Sequence, residues 1–157
     1  MPSSPTDNGG SVEHATCVAI GGRGVLIAGP SGSGKSDLAL RLIREDAKLV
    51  ADDRTALSVS GGRLMASAPA PLRGLLEVRG LGVVRLYPSE CAGETEVVGL
   101  VELAGDRAGI SRMPQLAHKL ILDRRLPVMS LFPFDESATA KVHMFLRTID
   151  DLEMLIE

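Results

Sequence analysis

The sequence has no tryptophan, one tyrosine and three phenylalanines, so its core must be assembled from Val, Leu, Ile, Ala and Met. Cysteine is as scarce. Cys17 and Cys91 stand far apart with no C-x-x-C spacing, which argues for reduced, buried thiols and against a zinc site. Basic charge is not in excess either. Seventeen Lys and Arg against twenty Asp and Glu leave a net charge of −3, which speaks against a nucleic-acid partner. No apolar run is long enough to span a membrane, and the polar, Ser/Pro/Gly-rich start carries no basic and apolar leader pattern. These absences point to a cytoplasmic protein with no membrane partner. Residues 1–12 read as a flexible tail, and the remaining residues 13–157 suit one domain.

Against that background one stretch stands out. Gly29-Pro30-Ser31-Gly32-Ser33-Gly34-Lys35-Ser36 is a full G-x-x-x-x-G-K-[ST] match. It follows the apolar run Gly24-Val25-Leu26-Ile27-Ala28 and precedes Asp37 to Arg44, where Leu38, Ala39, Leu42 and Ile43 repeat at helical spacing. Strand, glycine loop and helix are the context this motif requires. The three glycines let consecutive N–H groups curl around phosphate oxygens. The helix behind them adds its unpaired donors and partial positive charge. Lys35 can reach the terminal phosphates, and the Ser36 hydroxyl can hold Mg²⁺. Residues 29–36 are expected to bind a nucleoside triphosphate.

The rest of the chain is rich in strands. Thr16 to Ile20 is a short apolar strand that Gly21-Gly22-Arg23-Gly24 turns back into the strand feeding the loop. Lys48 to Ala51 is another. Thr55 to Ser60 and Arg63 to Ala66 form a hairpin around Gly61-Gly62. Further strands are expected at Val83–Leu86, Val97–Leu103, Leu120–Leu122 and Pro127–Phe132, the last two around the basic pair Arg124-Arg125. Ser137 caps a final helix whose apolar stripe is Val142, Phe145, Leu146, Ile149 and Leu152. The sum is an α/β domain with a mixed sheet.

Asp52-Asp53 closes an apolar strand soon after the loop's helix, which places both residues at the carboxyl edge of the sheet, beside the loop. One carboxylate there would hold Mg²⁺. The second is free to act as base for a hydroxyl nucleophile, unless the pair is only a solvated acidic turn. Glu77, in Leu75-Leu76-Glu77-Val78-Arg79-Gly80, either pairs with Arg73 or Arg79 or faces a cation, and spacing does not decide which. His14, His118 and His143 read individually as structural or surface residues. Arg107 is either a phosphate clamp or one half of a surface ion pair.

The combination resembles the HPr kinase/phosphorylase family, bacterial enzymes that phosphorylate a serine on HPr-like phosphocarrier proteins. The matching pieces are Gly29–Ser36, Leu49-Val50-Ala51-Asp52-Asp53 and Leu75-Leu76-Glu77-Val78-Arg79-Gly80-Leu81-Gly82, with the Asp106-Arg107-Ala108-Gly109 turn and His14 ahead of the loop. The resemblance implies an ATP- and Mg²⁺-dependent serine kinase of the phosphotransferase system. Lys35 would bind the transferred phosphate, Ser36 and Glu77 would serve Mg²⁺ with Asp52 close by, and Asp53 would take the serine proton. His14 and Arg107 would belong to the same active site. A homo-oligomer, hexameric in the family, is implied as well.

Two features depart from the longer family members. The chain has no room for their additional N-terminal domain, so residues 13–157 read as the kinase domain alone. Phe132-Pro133-Phe134-Asp135-Glu136-Ser137 is acidic where those members are basic, which weighs against the reverse, phosphate-driven dephosphorylation. Two other readings of the loop are a small-molecule kinase, for which no Arg-rich lid insertion is present, and a non-enzymatic ATP-binding regulator, to which Asp53 would be dispensable. No Asn-Lys-x-Asp guanine-reading motif supports a GTPase.

Overall fold

The computed structural model describes residues 10–151. In chain order the strands before the first helix are β1 (Ser11–Glu13), β2 (Ala15–Ile20) and β3 (Arg23–Ala28). Helix α1 (Lys35–Ile43) leads to β4 (Lys48–Ala51), β5 (Thr55–Ser60) and β6 (Arg63–Ser67). Then come β7 (Leu75–Val78), β8 (Gly82–Arg85), β9 (Thr95–Leu103), β10 (Ala117–Ile121), β11 (Arg124–Leu131) and helix α2 (Ala138–Asp150).

Glycine pairs make the tight turns. Gly21-Gly22 and Gly61-Gly62 all take left-handed φ values, between 58° and 81°, as a two-residue hairpin turn demands. A third such turn, Leu122-Asp123, reaches φ of 48° and 64° without glycine. It lies one step before the basic pair expected to form the turn, so Arg124 and Arg125 open β11 instead.

The main sheet runs β1-β5-β6-β9-β3-β2-β4, with β11 beside the second half of β9 and β10 outside β11. β9 is parallel to both β3 and β11. β2 lies antiparallel between β3 and β4, which therefore point the same way. The carboxyl ends of β3, β4, β9 and β11 thus emerge at a single edge, and β2 begins there. Apart from Glu77, the candidate residues lie in segments that leave from or arrive at that edge. β7 and β8 form a separate two-stranded ribbon.

Strand alternation splits the core between the two faces of the sheet. Val18, Val25, Ile27, Leu49 and Val101 join α1 and α2 through Leu38, Leu42, Val142 and Leu146. Their neighbours Cys17, Leu26, Val50 and Leu100 pack with Leu57 and Leu64, because the β5–β6 hairpin curls over the second face. Gly99 lets α2 lie close on β9, since a Cβ there would stand 2.8 Å from Ile149 Cδ1. Cys17 is fully buried, which pushes its thiol up to about 12, and neither cysteine is in a disulfide.

The expected mixed α/β architecture is present, with two corrections at its margins. Residues 1–9 of the expected tail lie outside the described residues, but Ser11–Glu13 pair with Thr55–Leu57 as an edge strand. Leu75–Val78, read only as a glycine-rich stretch, is strand β7. Leu152 of the final apolar stripe also lies outside the described residues.

At Gly24, β3 runs tight against the start of β9. A Cβ there would stand 2.6 Å from the Glu96 carbonyl oxygen, a backbone atom that cannot swing away. Gly24→Ala is expected to lower unfolding free energy by about 1–3 kcal/mol, the usual cost of overpacking. Urea titration reads this as a lower midpoint at unchanged slope; an unshifted midpoint would show that the two strands have slack.

Candidate active site

The phosphate loop begins where β3 leaves the sheet. Gly32 and Gly34 carry φ of 81° and 105°, so two of the three glycines are there for backbone conformation. Gly29 is there for space, since a Cβ would collide with Ser33 Oγ at 2.5 Å. Gly34 is the N-cap of α1, and no side chain caps its first turn. Those backbone donors face the loop, the arrangement that receives a phosphate.

Lys35 is 5% exposed. Its ammonium donates to the carbonyls of Gly29 at 2.7 Å and Pro30 at 3.2 Å, and no carboxylate pairs with it among the described residues. A buried cation left without a counter-charge is costly unless an anion arrives. A phosphate at the loop would supply that counter-charge.

Asp52, just past β4, is 7% exposed. Its carboxylate accepts from Ser36 Oγ at 2.7 Å, Thr16 Oγ1 at 2.9 Å and the Glu77 N–H at 2.9 Å. Thr16 in turn accepts from the Asp53 N–H at 3.0 Å. Asp53 has a left-handed φ of 66°, which only a few non-glycine residues tolerate. Its carboxylate is exposed and bonds His14 Nε2 at 2.7 Å. One reversal of the backbone therefore gives adjacent aspartates opposite environments: one buried with three donors, the other open to an incoming group.

Among the described residues no three His, Cys, Asp or Glu side chains cluster to hold a metal. Mg²⁺ does not require that, because it keeps several waters and takes one or two protein oxygens plus substrate phosphates. Ser36 Oγ and the Asp52 carboxylate at the head of α1 fit such a site. Glu77 is exposed and makes no ion pair with Arg73, Arg79 or any other described residue. Its backbone, not its side chain, touches this constellation.

Arg107 stands apart from that network. Its guanidinium donates to Asp135 and lies 5.5 Å over the Phe132 ring. Phe132 meets Phe134 edge-on at 5.6 Å. Phe134 Cζ and Pro133 Cγ then press on Gly34, 3.1 and 3.3 Å from where its Cβ would be. Arg41 of α1 donates to the Pro133 carbonyl. The acidic segment following β11 is therefore seated on the phosphate loop.

Sequence reasoning missed Thr16 and the seating of Phe132 to Asp135. Thr16 sits among apolar residues of a central strand, where a β-branched residue reads as ordinary packing. Only the register that sets β2 beside β4 reveals its second role. His118 and His143 lie away from this edge; His143 pairs with Glu45 at 3.2 Å.

A strand–glycine loop–helix unit with a buried lysine and a buried aspartate beside the loop's serine defines a phosphate-loop protein. A family model described as the HPr serine kinase C-terminal domain matches residues 10–104. The chain belongs to that family. It is 40% identical over 91 residues to HPr kinase/phosphorylase of Clostridium tetani, covering 56% of this chain and 30% of the relative. It is 34% identical over 112 residues to that of Mycoplasmopsis pulmonis, covering 69% and 36%. The chain thus spans about a third of the length of these curated relatives. A solved structure of the HPr(Ser) kinase/phosphatase from Coxiella burnetii has the same fold, with a TM-score of 0.79 over 92% of each chain at 24% identity. The family match stops short of Arg107 and of the Phe132–Asp135 segment.

Two outcomes follow from this geometry. Thr16→Val strips a donor from Asp52 and an acceptor from Asp53, so unfolding free energy should fall by about 1–3 kcal/mol. Thr16→Ser should keep most of it in chemical denaturation; a Thr16→Val variant as stable as the wild type, with the loss confined to Thr16→Ser, would mean the methyl group matters and the hydroxyl does not. The second concerns Asp135. The Arg107 hydrogen bond, aided by the charges of Arg107 and Lys141, holds this carboxyl below its usual range despite an opposing effect of burial. A lowered native pKa means stabilisation that is full above the ordinary carboxylate range and fades as pH falls through the native value. Arg107→Met should therefore melt below the wild type at neutral pH and converge with it in acid. A gap that persists in acid would rule out the ion pair as its source.

Proposed function

We propose that this chain is an ATP- and Mg²⁺-dependent protein serine kinase acting on an HPr-like phosphocarrier. Family membership supports the reaction class. The observation that carries the reading is the Asp52–Asp53 pair beside the loop, with Asp52 bound to Ser36 and Asp53 held open by His14.

The backbone of residues 29–36 and the buried Lys35 ammonium bind the triphosphate. Ser36 and Asp52 would hold Mg²⁺, with Glu77 as a further ligand, and its charge would serve to offset that of the phosphate oxygens. Asp53 receives the proton of the substrate serine as its oxygen attacks the γ-phosphorus. A serine O–P bond forms while the bond to the bridging oxygen breaks, leaving ADP with the electron pair. His14 orients the Asp53 carboxylate. Lys35 and Arg107 offset charge on the moving phosphoryl group, because positioning and electrostatics dominate such transfers.

On the same reading residues 13–157 form one catalytic domain that works as a cytoplasmic homo-oligomer, and the reverse phosphorylase reaction is weak. Family likeness supports the assembly and location; the acidic segment on the loop supports the weak reversal. Two other users of the loop, a small-molecule kinase and a nucleotide-gated regulator, would have no need of a protein serine as acceptor.

Intact-protein mass spectrometry of an HPr-like phosphocarrier incubated with the chain and Mg-ATP tests the assignment. Wild type should add one phosphate on serine. Asp53→Asn should transfer at least about 10²-fold more slowly, the scale of a lost general base, while still binding ATP. Transfer undiminished in Asp53→Asn removes Asp53 as base, and no transfer by an ATP-binding wild type removes the phosphocarrier as substrate.

A further inference from the structure

The Asp135 carboxylate occupies a place built for an anion. It accepts from Arg107 and lies 3.6 Å from the Lys141 ammonium. Paired cations favour a negative charge. The place adjoins the phosphate loop, because Phe134 and Pro133 of the same segment press on Gly34, and Arg107 is stacked on Phe132. The charge of Asp135 is thus not a bare repulsive one. Two cations neutralise it, and its effect is to keep them engaged.

We propose that Asp135 is a specificity-determining residue, an internal anion that holds Arg107 and Lys141 and so keeps free inorganic phosphate from settling beside the loop. A nucleotide is held by the whole loop and loses little from this occupancy. Inorganic phosphate depends on a few cationic contacts and loses most. The inference rests on the phosphate-loop reading above and assigns its selectivity to one side chain.

Isothermal titration with inorganic phosphate, and separately with ATP, would be run on the wild type, Asp135→Asn and Asp135→Asn combined with Arg107→Met. Asp135→Ser serves as a second neutral replacement should the asparagine variant not fold, and thermal melts report folding. Neutralising Asp135 should tighten phosphate binding about tenfold, the scale of one charge-assisted contact. The gain should vanish in the double variant. Folded neutral variants that bind phosphate no better than wild type would overturn the inference, as would a gain that survives loss of Arg107. A wild type that binds no ATP would instead fail the phosphate-loop reading, and this inference with it.

Discussion

The site depends on satisfying one buried carboxylate. Asp52 is nearly sealed from water, and an ionised group in that position is stable only if its oxygens are supplied with donors. Three arrive from three different elements: Thr16 from β2, Ser36 from α1 and the Glu77 N–H from β7. None is within fifteen residues of Asp52 in sequence, the nearest being Ser36 at a separation of 16. The carboxylate therefore ties the start of β2, the head of α1 and the β7–β8 ribbon to the end of β4. Each bond to a charged group contributes about 1.5–3 kcal/mol, so a local error in any of these elements is felt at the loop.

Topology makes that convergence possible. A hairpin strand inserted antiparallel between β3 and β4 brings its own beginning to the edge where they end. His14 and Thr16 are thereby delivered to the same place as the phosphate loop and the two aspartates. The left-handed Asp53 then separates the duties of neighbouring acids. A regular strand would also have sent them to opposite faces, but one face would have been the core. The reversal instead leaves Asp53 exposed against His14 while Asp52 stays inside, an arrangement of the kind that backbone strain at functional sites produces.

How much of this was legible follows from the range of the interactions. The loop, its flanking strand and helix, and the two Gly-Gly hairpins are local, and glycine marks where φ must be positive. The Leu122-Asp123 turn carried no such mark, so its position was misjudged and the arginines beside it drew the eye. β7 was hidden because Leu75 to Val78 is short and followed by glycines. The Asp52–Asp53 edge was predictable from strand order, since acids that close a strand after a phosphate-loop helix have few other places to go. Thr16 was not, because its role depends on a β2–β4 register that no local pattern encodes. Resemblance put Arg107 in the site, and its contact with Asp135 depends on a separation of 28 residues that spacing does not reveal.

The stretch matched by the family model ends at residue 104, yet the sheet is unfinished there. β11 pairs in parallel with β9 through Val128 to Leu131, and α2 closes one face of the core over Gly99. That added strand ends at the same edge as β3, so whatever follows Leu131 must cross beside the phosphate loop. Phe132 to Asp135 is that crossing, clamped by Arg41 of α1 and by Arg107. The loop, Lys35 and the Asp52 network sit on the matched part, and the hydrogen bonds of Lys35 and Asp52 do not involve this segment. The glycine loop and the charged segment beside it are therefore carried by separate pieces of chain. A change of sign in the crossing can retune which anions reach the loop without disturbing the hydrogen bonds that build it.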